Sequence, residues 1–251
     1  MGFLHEGHLA LIREARRRAD VVALSIFVNP LQFAPTEDLS RYPRDLAGDL
    51  AKAGGAGATI AFVPGVEDLY PSGFQTEVAV TQVTQRLEGA SRPTHFKGVA
   101  TVVLKLLMLA QAEVAVFGEK DYQQLLVVKQ LVNDLCVPTE IVGLPTVREA
   151  DGLAMSSRNK YLEGPQRQSA LALKRGLDAI AKAAARGEHS REALIALGAR
   201  AVGSDARLDY VEVADAQTLE PHAQIAPRSR ALIAAFVGRT RLIDNLAITL
   251  S

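Results

Sequence analysis

The chain has 251 residues, 48% of them hydrophobic and 22% charged, which is the profile of a soluble globular protein with room for one large domain or a large and a small one. Its 28 Lys and Arg balance 28 Asp and Glu, which excludes bulk electrostatic binding to nucleic acid or to an anionic membrane as the main activity. A single cysteine, Cys136, excludes an internal disulfide framework and fits a reducing, cytoplasmic setting.

The N-terminus, Met1-Gly2-Phe3-Leu4-His5-Glu6, lacks the basic and apolar regions of a signal peptide. Leu9 to Ala19 reads as a helix. Val21 to Val28 is a continuous run rich in β-branched residues, the expectation for a strand buried on both faces. Helices follow at Pro43 to Ala53, Gly98 to Gln111 and Asp121 to Leu135, and strands at Thr59 to Val63, Glu113 to Phe117 and Thr139 to Leu144. Strands alternating with helices of this length predict an α/β fold, a doubly wound parallel sheet covered by helices. The longest apolar stretch, Val99 to Ala110, is interrupted by Lys105 and too short to span a bilayer. Cys136 is expected to be a buried or half-buried small residue after a helix.

After Arg158 the texture changes. Helices are predicted at Pro165 to Arg186 and Ser190 to Val202, the latter capped by Ser190. Strands follow at Asp209 to Ala214, Ala231 to Val237 and Leu242 to Ile248. Helices followed by strands without alternation predict a small α+β domain. The expected division is residues 1–158 for a Rossmann-like domain and 159–251 for the small one, with the junction near Asn159 to Gly164.

Four motifs carry chemistry. His5-Glu6-Gly7-His8 precedes the first helix, where backbone N–H groups and the helix dipole suit a phosphate and histidines can donate to its oxygens. Asn29 and Gln32 lie where the first buried strand runs out into a loop, the usual edge for a polar ligand. Gly118-Glu119-Lys120-Asp121 is a second strand-to-helix turn, with Lys120 a point charge for phosphate, Asp121 a helix cap, and Gln124 one turn further on. Val147-Arg148-Glu149 and Met155-Ser156-Ser157-Arg158 bring hydroxyls and guanidinium groups suited to a polyphosphate. Each has a plainer reading as a surface turn, a capped helix or a polar linker; their shared placement at the sheet's edge favours a site.

These strings resemble the pantothenate synthetase family. Met1 to His8 resembles that family's version of the HIGH signature of nucleotidyl transferases. SIFVNPLQF (Ser25 to Phe33), RPTHFKGV (Arg92 to Val99), FGEKDYQQL (Phe117 to Leu125) and DGLAMSSRN (Asp151 to Asn159) follow in the family's order, as does RLIDN at Arg241 to Asn245. The resemblance implies ATP-dependent condensation of pantoate with β-alanine through a pantoyl adenylate, with magnesium accompanying the nucleotide and a homodimer as the assembly. It implies that Met1, Gly2, Phe3, Leu4, His5, Glu6, Gly7, His8, Gly118, Glu119, Lys120, Asp121, Val147, Met155, Ser156, Ser157 and Arg158 bind ATP. His8 would be the proton donor, with His5, Lys120 and Arg158 also catalytic. Gln32 and Gln124 would bind pantoate, and Gln32 β-alanine as well. His95 and Asn29 are further candidates for the wall of the site. No metal ligands are implied by number.

In the family a helix and a strand precede the first motif, whereas this sequence enters at the motif itself; an upstream start and, in the sequence as it stands, a sheet without its central strand are expected. Two other readings remain open at this level. One is another nucleotidyl transferase, such as a nicotinamide-mononucleotide adenylyltransferase, which would share the first motif but not VNPLQF and EKDYQQ. The other is a catalytically inactive nucleotide-binding or dimerisation module.

Overall fold

In the computed structural model, which describes residues 2–34 and 39–250, the alternation of the first half becomes two pairs of parallel strands with helices packed on them. Strand β1 (Ala23–Ser25) runs beside β2 (Ile60–Phe62), with Ala23 opposite Ile60 and Ser25 opposite Phe62. Strand β3 (Val114–Gly118) runs beside β4 (Glu140–Leu144), with Val114 opposite Glu140. Parallel neighbours need a crossover: α2 (Leu46–Ala56) supplies it between β1 and β2, and α6 (Tyr122–Asp134) between β3 and β4. The α/β class is as expected. The parallel ladder is in two pieces: among the described residues β1 pairs only with β2, and β3 only with β4.

Helix α1 (Glu6–Arg18) packs against β3 and α2. Its Ile12 meets Val22, Leu24 and Ile26 of the first strand region, together with Leu4 and with Ala53 and Ala56 of α2. The expectation that this strand is buried on both faces needs correction. Val22 and Leu24 are buried while Val21 is 65% exposed, so burial alternates and one face is covered. A run of apolar residues records β-propensity without recording how many faces find partners. Helix α5 (His95–Ala110) and α6 form a second small core, in which Phe96, Val99, Val127 and Val128 meet Phe117 and Ile141 of the second strand pair. Two short helices, α3 (Val66–Leu69) and α4 (Glu88–Ser91), lie in the long connection between β2 and α5. Cys136, just past α6, is exposed and has φ +50°, so it is a surface turn residue and not the half-buried one expected.

The chain divides into two compact units, Met1–Thr146 and Val147–Ser251. The segment from Val147 to Arg158, which the sequence reading places in the first domain, therefore belongs to the second unit. That unit holds α7 (Pro165–Ala184), α8 (Arg191–Val202) and an antiparallel meander β5 (Arg207–Asp215), β6 (Ser229–Val237), β7 (Thr240–Ala247). The α8 cap is as expected, the Ser190 hydroxyl accepting the Ala193 N–H. Leu173, Leu177 and Ile180 of α7, Leu194 of α8 and Ile233 of β6 are almost wholly buried and make one core. Among the described residues no helix is long and apolar enough to cross a membrane.

Candidate active site

The segment entering α1 is held from below by α2. The Phe3 N–H donates to Asp49 Oδ2 over 2.7 Å and the Leu4 N–H to Asp49 Oδ1 over 2.5 Å. One helical turn on, Lys52 Nζ donates to the Leu4 carbonyl over 3.1 Å. Phe3 has φ +53°, a left-handed conformation that turns successive N–H groups toward one anion. Here that anion is a carboxylate of the protein. The resemblance counts Phe3 and Leu4 among the ATP-binding residues; in the structure their two backbone amides go to Asp49. The first-turn amides of Glu6 and Gly7, which no intrahelical carbonyl can reach, are the ones suited to a ligand. Gly2 is buried, and Met1 lies outside the described residues.

His5 is the N-cap residue of α1, and its backbone N–H donates to His8 Nδ1 over 3.3 Å. The two rings stack with centroids 3.9 Å apart. Because Nδ1 of His8 accepts, the proton of the neutral ring sits on Nε2. Burial, reinforced by Lys120, lowers the His5 pKa to about 4; burial, reinforced by His5, lowers that of His8 to about 3. Both rings are thus neutral near pH 7. His5 Nδ1 is buried with no hydrogen-bond partner among the described residues. A buried polar atom left so is costly unless a ligand or water meets it.

The turn after β3 brings the second motif to the same place. Lys120 and Asp121 both lie close enough to act electrostatically on His5 and His8. Lys120 Nζ is 3.5 Å from Asp121 Oδ1, and the lysine side chain is largely covered. Asp121 occupies the N-cap position of α6 without making the expected side-chain cap; its carboxylate faces Lys120 instead. Of the paired glutamines, Gln123 is buried and structural, its Oε1 accepting the Glu88 N–H and its Nε2 donating to the Val83 and Arg86 carbonyls. Gln124, the predicted pantoate ligand, is the half-buried one.

At the end of the first strand, Asn29 is 3% exposed and its amide is occupied. Nδ2 donates to the Gly98 carbonyl over 3.0 Å, and Oδ1 accepts from the Leu31 N–H and the Tyr70 hydroxyl. Asn29 therefore builds the loop rather than lining a cleft. The short 3-10 turn it starts, Pro30–Gln32, presents Gln32 with its backbone carbonyl pinned by Arg92 Nη2 and His95 Nδ1, each at 3.0 Å. Gly98 permits this approach, since a Cβ there would lie 2.3 Å from the Leu31 carbonyl oxygen. His95 thus acts on the site through the backbone of Gln32.

In the second unit, Val147 to Met155 doubles back on itself. The Met155 N–H donates to the Val147 carbonyl and the Glu149 N–H to that of Leu153, with Gly152 at φ +93° in the turn. Arg148 grips Asp244 of β7 with two bonds of 2.7 and 2.9 Å, and reaches the carbonyls of Gly152 and Asn245. Arg167 joins Glu149 and Asp151, and Asn159 donates to Glu149 and to the Ala154 carbonyl. This frame holds Ser156, Ser157 and Arg158, where the Ser156 hydroxyl accepts the Arg158 N–H and Ser157 is buried.

Asp49, Lys52 and Arg167 were not singled out by sequence, and Arg92 and Asp244 fall in the RPTHFKGV and RLIDN strings without a role of their own. The sole signal for the first two was their spacing of three on a helix, which any solvated pair shares. No cluster of three or more His, Cys, Asp or Glu side chains suited to a metal occurs among the described residues.

The family model described as pantoate-beta-alanine ligase matches residues 1–247. Pantothenate synthetase of Myxococcus xanthus (strain DK1622) is 60% identical over 252 residues, covering 99% of this chain and 86% of its own. That of Moorella thermoacetica is 53% identical, covering 99% and 88%. The crystal structure of pantoate-beta-alanine ligase (pantothenate synthetase) from Thermus thermophilus superposes with a TM-score of 0.97 at 49% identity, covering 99% of this chain and 91% of that one. The Francisella tularensis pantoate-beta-alanine ligase complexed with beta-gamma ATP and beta-alanine gives 0.80 at 35% identity, covering 98% and 87%.

Proposed function

We infer the working of this site from one premise: the chain belongs to the pantoate–β-alanine ligase family. It catalyses the ATP-dependent condensation of pantoate with β-alanine. A carboxylate oxygen of pantoate attacks the α-phosphorus of ATP, and the bond to the bridging oxygen breaks to release pyrophosphate. The β-alanine amine then attacks the acyl carbon of the pantoyl adenylate; the acyl C–O bond breaks, AMP leaves with the electron pair, and the nitrogen loses a proton. The protein's part is to position the reactants and to meet charge as it develops on the phosphates.

The observation that carries the residue assignment is the convergence of His5, His8 and Lys120 at the N-terminus of α1. A neutral His8 donates its Nε2–H to a phosphate oxygen, His5 offers a second ring, and Lys120 supplies the full positive charge. Gly118, Glu119 and Asp121 line the nucleotide side of the same turn, beside the start of α1 from Gly2 to Gly7. Gln32 and Gln124 bind pantoate, Gln32 also meeting β-alanine. From the second unit, Val147 offers its backbone to the adenine, and Met155 to Arg158 offer hydroxyls and a guanidinium to the phosphates.

Magnesium fits this donor set as an ion held mainly by the triphosphate and water, since Asp49 is taken by backbone amides and Asp121 by Lys120. When bound it neutralises charge on the departing pyrophosphate. The exposed apolar side chains of Ile60, Phe62, Val63 and Val66 support a homodimer, and use of ATP supports a cytoplasmic location. The test is pantoate-dependent release of AMP and pyrophosphate, with pantothenate formed once β-alanine is added. AMP release that ignores pantoate, or a dinucleotide product, would overturn the reading.

A further inference from the structure

We propose that Asp49 and Lys52 are positioning residues for the adenylation step, a two-sided clamp on helix α2 that sets the angle of the His5–His8 turn. The proposal rests on the reading that these histidines meet the phosphates of ATP.

The geometry is specific. Asp49 is 1% exposed, a buried carboxylate whose oxygens each take one backbone N–H, from Phe3 and from Leu4. Lys52, one turn later on the same helix, takes the carbonyl between Leu4 and His5. Consecutive peptide groups are therefore held through both donors and acceptor by side chains of a single rigid element. His5 follows immediately as the N-cap of α1, and through its N–H it orients His8. The left-handed Phe3 supplies the second argument. A non-glycine residue at φ +53° is costly, on the order of 1 kcal/mol or more, and persists only where its surroundings over-determine it. Asp49 does so, because its carboxylate takes both the Phe3 and the Leu4 amide in that conformation. A buried apolar side chain at position 49 would fill space equally well but would let the turn relax. The carboxylate thus fixes where the histidine rings stand by way of the backbone that precedes them.

Asn at position 49 keeps the shape but offers one oxygen and one NH₂, and the NH₂ faces a backbone donor. Asp49→Asn should raise KM for ATP and slow adenylation on the order of tenfold, the scale of a lost charge-assisted hydrogen bond. KM for pantoate should stay within about twofold of its original value, as no contact to the Gln32 loop is altered. Lys52→Met should act in the same sense more weakly, and Lys52→Arg should restore function.

A double-mutant cycle with His8→Ala separates the outcomes. If His8→Ala impairs ATP use and Asp49→Asn adds little on top of it, the clamp acts through the histidine. If Asp49→Asn costs the same factor in both backgrounds, or lowers kcat in proportion to lost folded protein with KM for ATP unchanged, the residue is merely structural and the proposal fails. If His8→Ala leaves ATP use intact, the reading of the histidines fails first, and the clamp with it. Should Asp49→Asn not fold, Lys52→Met and Lys52→Arg in the same cycle decide the question.

Discussion

The imidazole rings of His5 and His8 stack 3.9 Å apart, and the His5 backbone N–H ends on His8 Nδ1. Two neighbouring imidazolium ions would repel one another in this half-buried corner, so the arrangement selects neutral rings. Their pKa values of about 4 and about 3 lie below the ordinary 6.5. In the window between those values the unfolded chain binds more protons than the folded one, so stability rises with pH there. The melting temperature should therefore be level with respect to these groups above pH 6.5 and fall as pH drops from 6.5 toward 4 and 3. His8→Gln should make that fall shallower. Histidine NMR titrations with midpoints near the ordinary value for both rings would contradict the reading.

Gln32→Ala should be a clean lesion. The backbone carbonyl of Gln32, not its side chain, holds the loop through Arg92 and His95. The melting temperature should change little, while KM for pantoate rises by the equivalent of about 1–3 kcal/mol, the usual loss when a buried polar substrate group goes unpaired. ATP affinity should be nearly unaffected. Unchanged KM for pantoate together with unchanged kcat would remove Gln32 from the substrate site.

Lys120→Ala should slow the first half-reaction selectively. In the proposed function the ammonium group meets the charge that builds on the phosphates as pyrophosphate leaves, whereas the attack of β-alanine on the acyl carbon places its new charge elsewhere. Pantoate-dependent pyrophosphate exchange should drop by about two orders of magnitude, the scale for losing one preorganised charge partner. Turnover of preformed pantoyl adenylate should fall far less. Equal slowing of both steps would contradict this role.

The limits of the sequence follow from the range over which its signals act. Helices and strands were legible because their periodicity is local, and apart from the short helices α3 and α4 the order from α1 to β7 emerged as expected. The strand at Val21 to Val28 was overread because β-branched composition does not say whether one face or two are covered. His5, His8, Lys120 and Gln32 were legible as candidates because strand ends and helix starts carry recognisable turn chemistry; their roles rest on the proposed function. Asp49 and Asp244 were not, because their partners stand 46 and 96 residues away along the chain. An acidic residue on an Ala- and Gly-rich helix looks solvated until the fold shows what covers it. Asn29 differs in the opposite direction: a polar residue read as a candidate for the site's wall is buried and bonded to Gly98, Leu31 and Tyr70.

The Arg148–Asp244 pair allows stability and function to be separated in the second unit. Asp244 has a side-chain exposure of 3%, and the pair is bidentate. Removing one partner leaves an uncompensated buried charge, so Asp244→Leu alone should destabilise by about 3–5 kcal/mol. Replacing both, with Arg148→Met and Asp244→Leu together, removes the charge along with its need for a partner and should recover most of the melting temperature. It cannot restore the contacts by which Arg148 ties the Gly152 turn to the Asn245 carbonyl of β7. The segment carrying Ser156, Ser157 and Arg158 should then lose its fixed orientation in a molecule that is otherwise sound. The double variant is therefore expected to melt near the unaltered protein, yet to form adenylate more slowly and with a raised KM for ATP. If activity returns together with stability, the pair serves only to hold the unit folded, and the orientation of the loop depends on Arg167 and Asn159 instead.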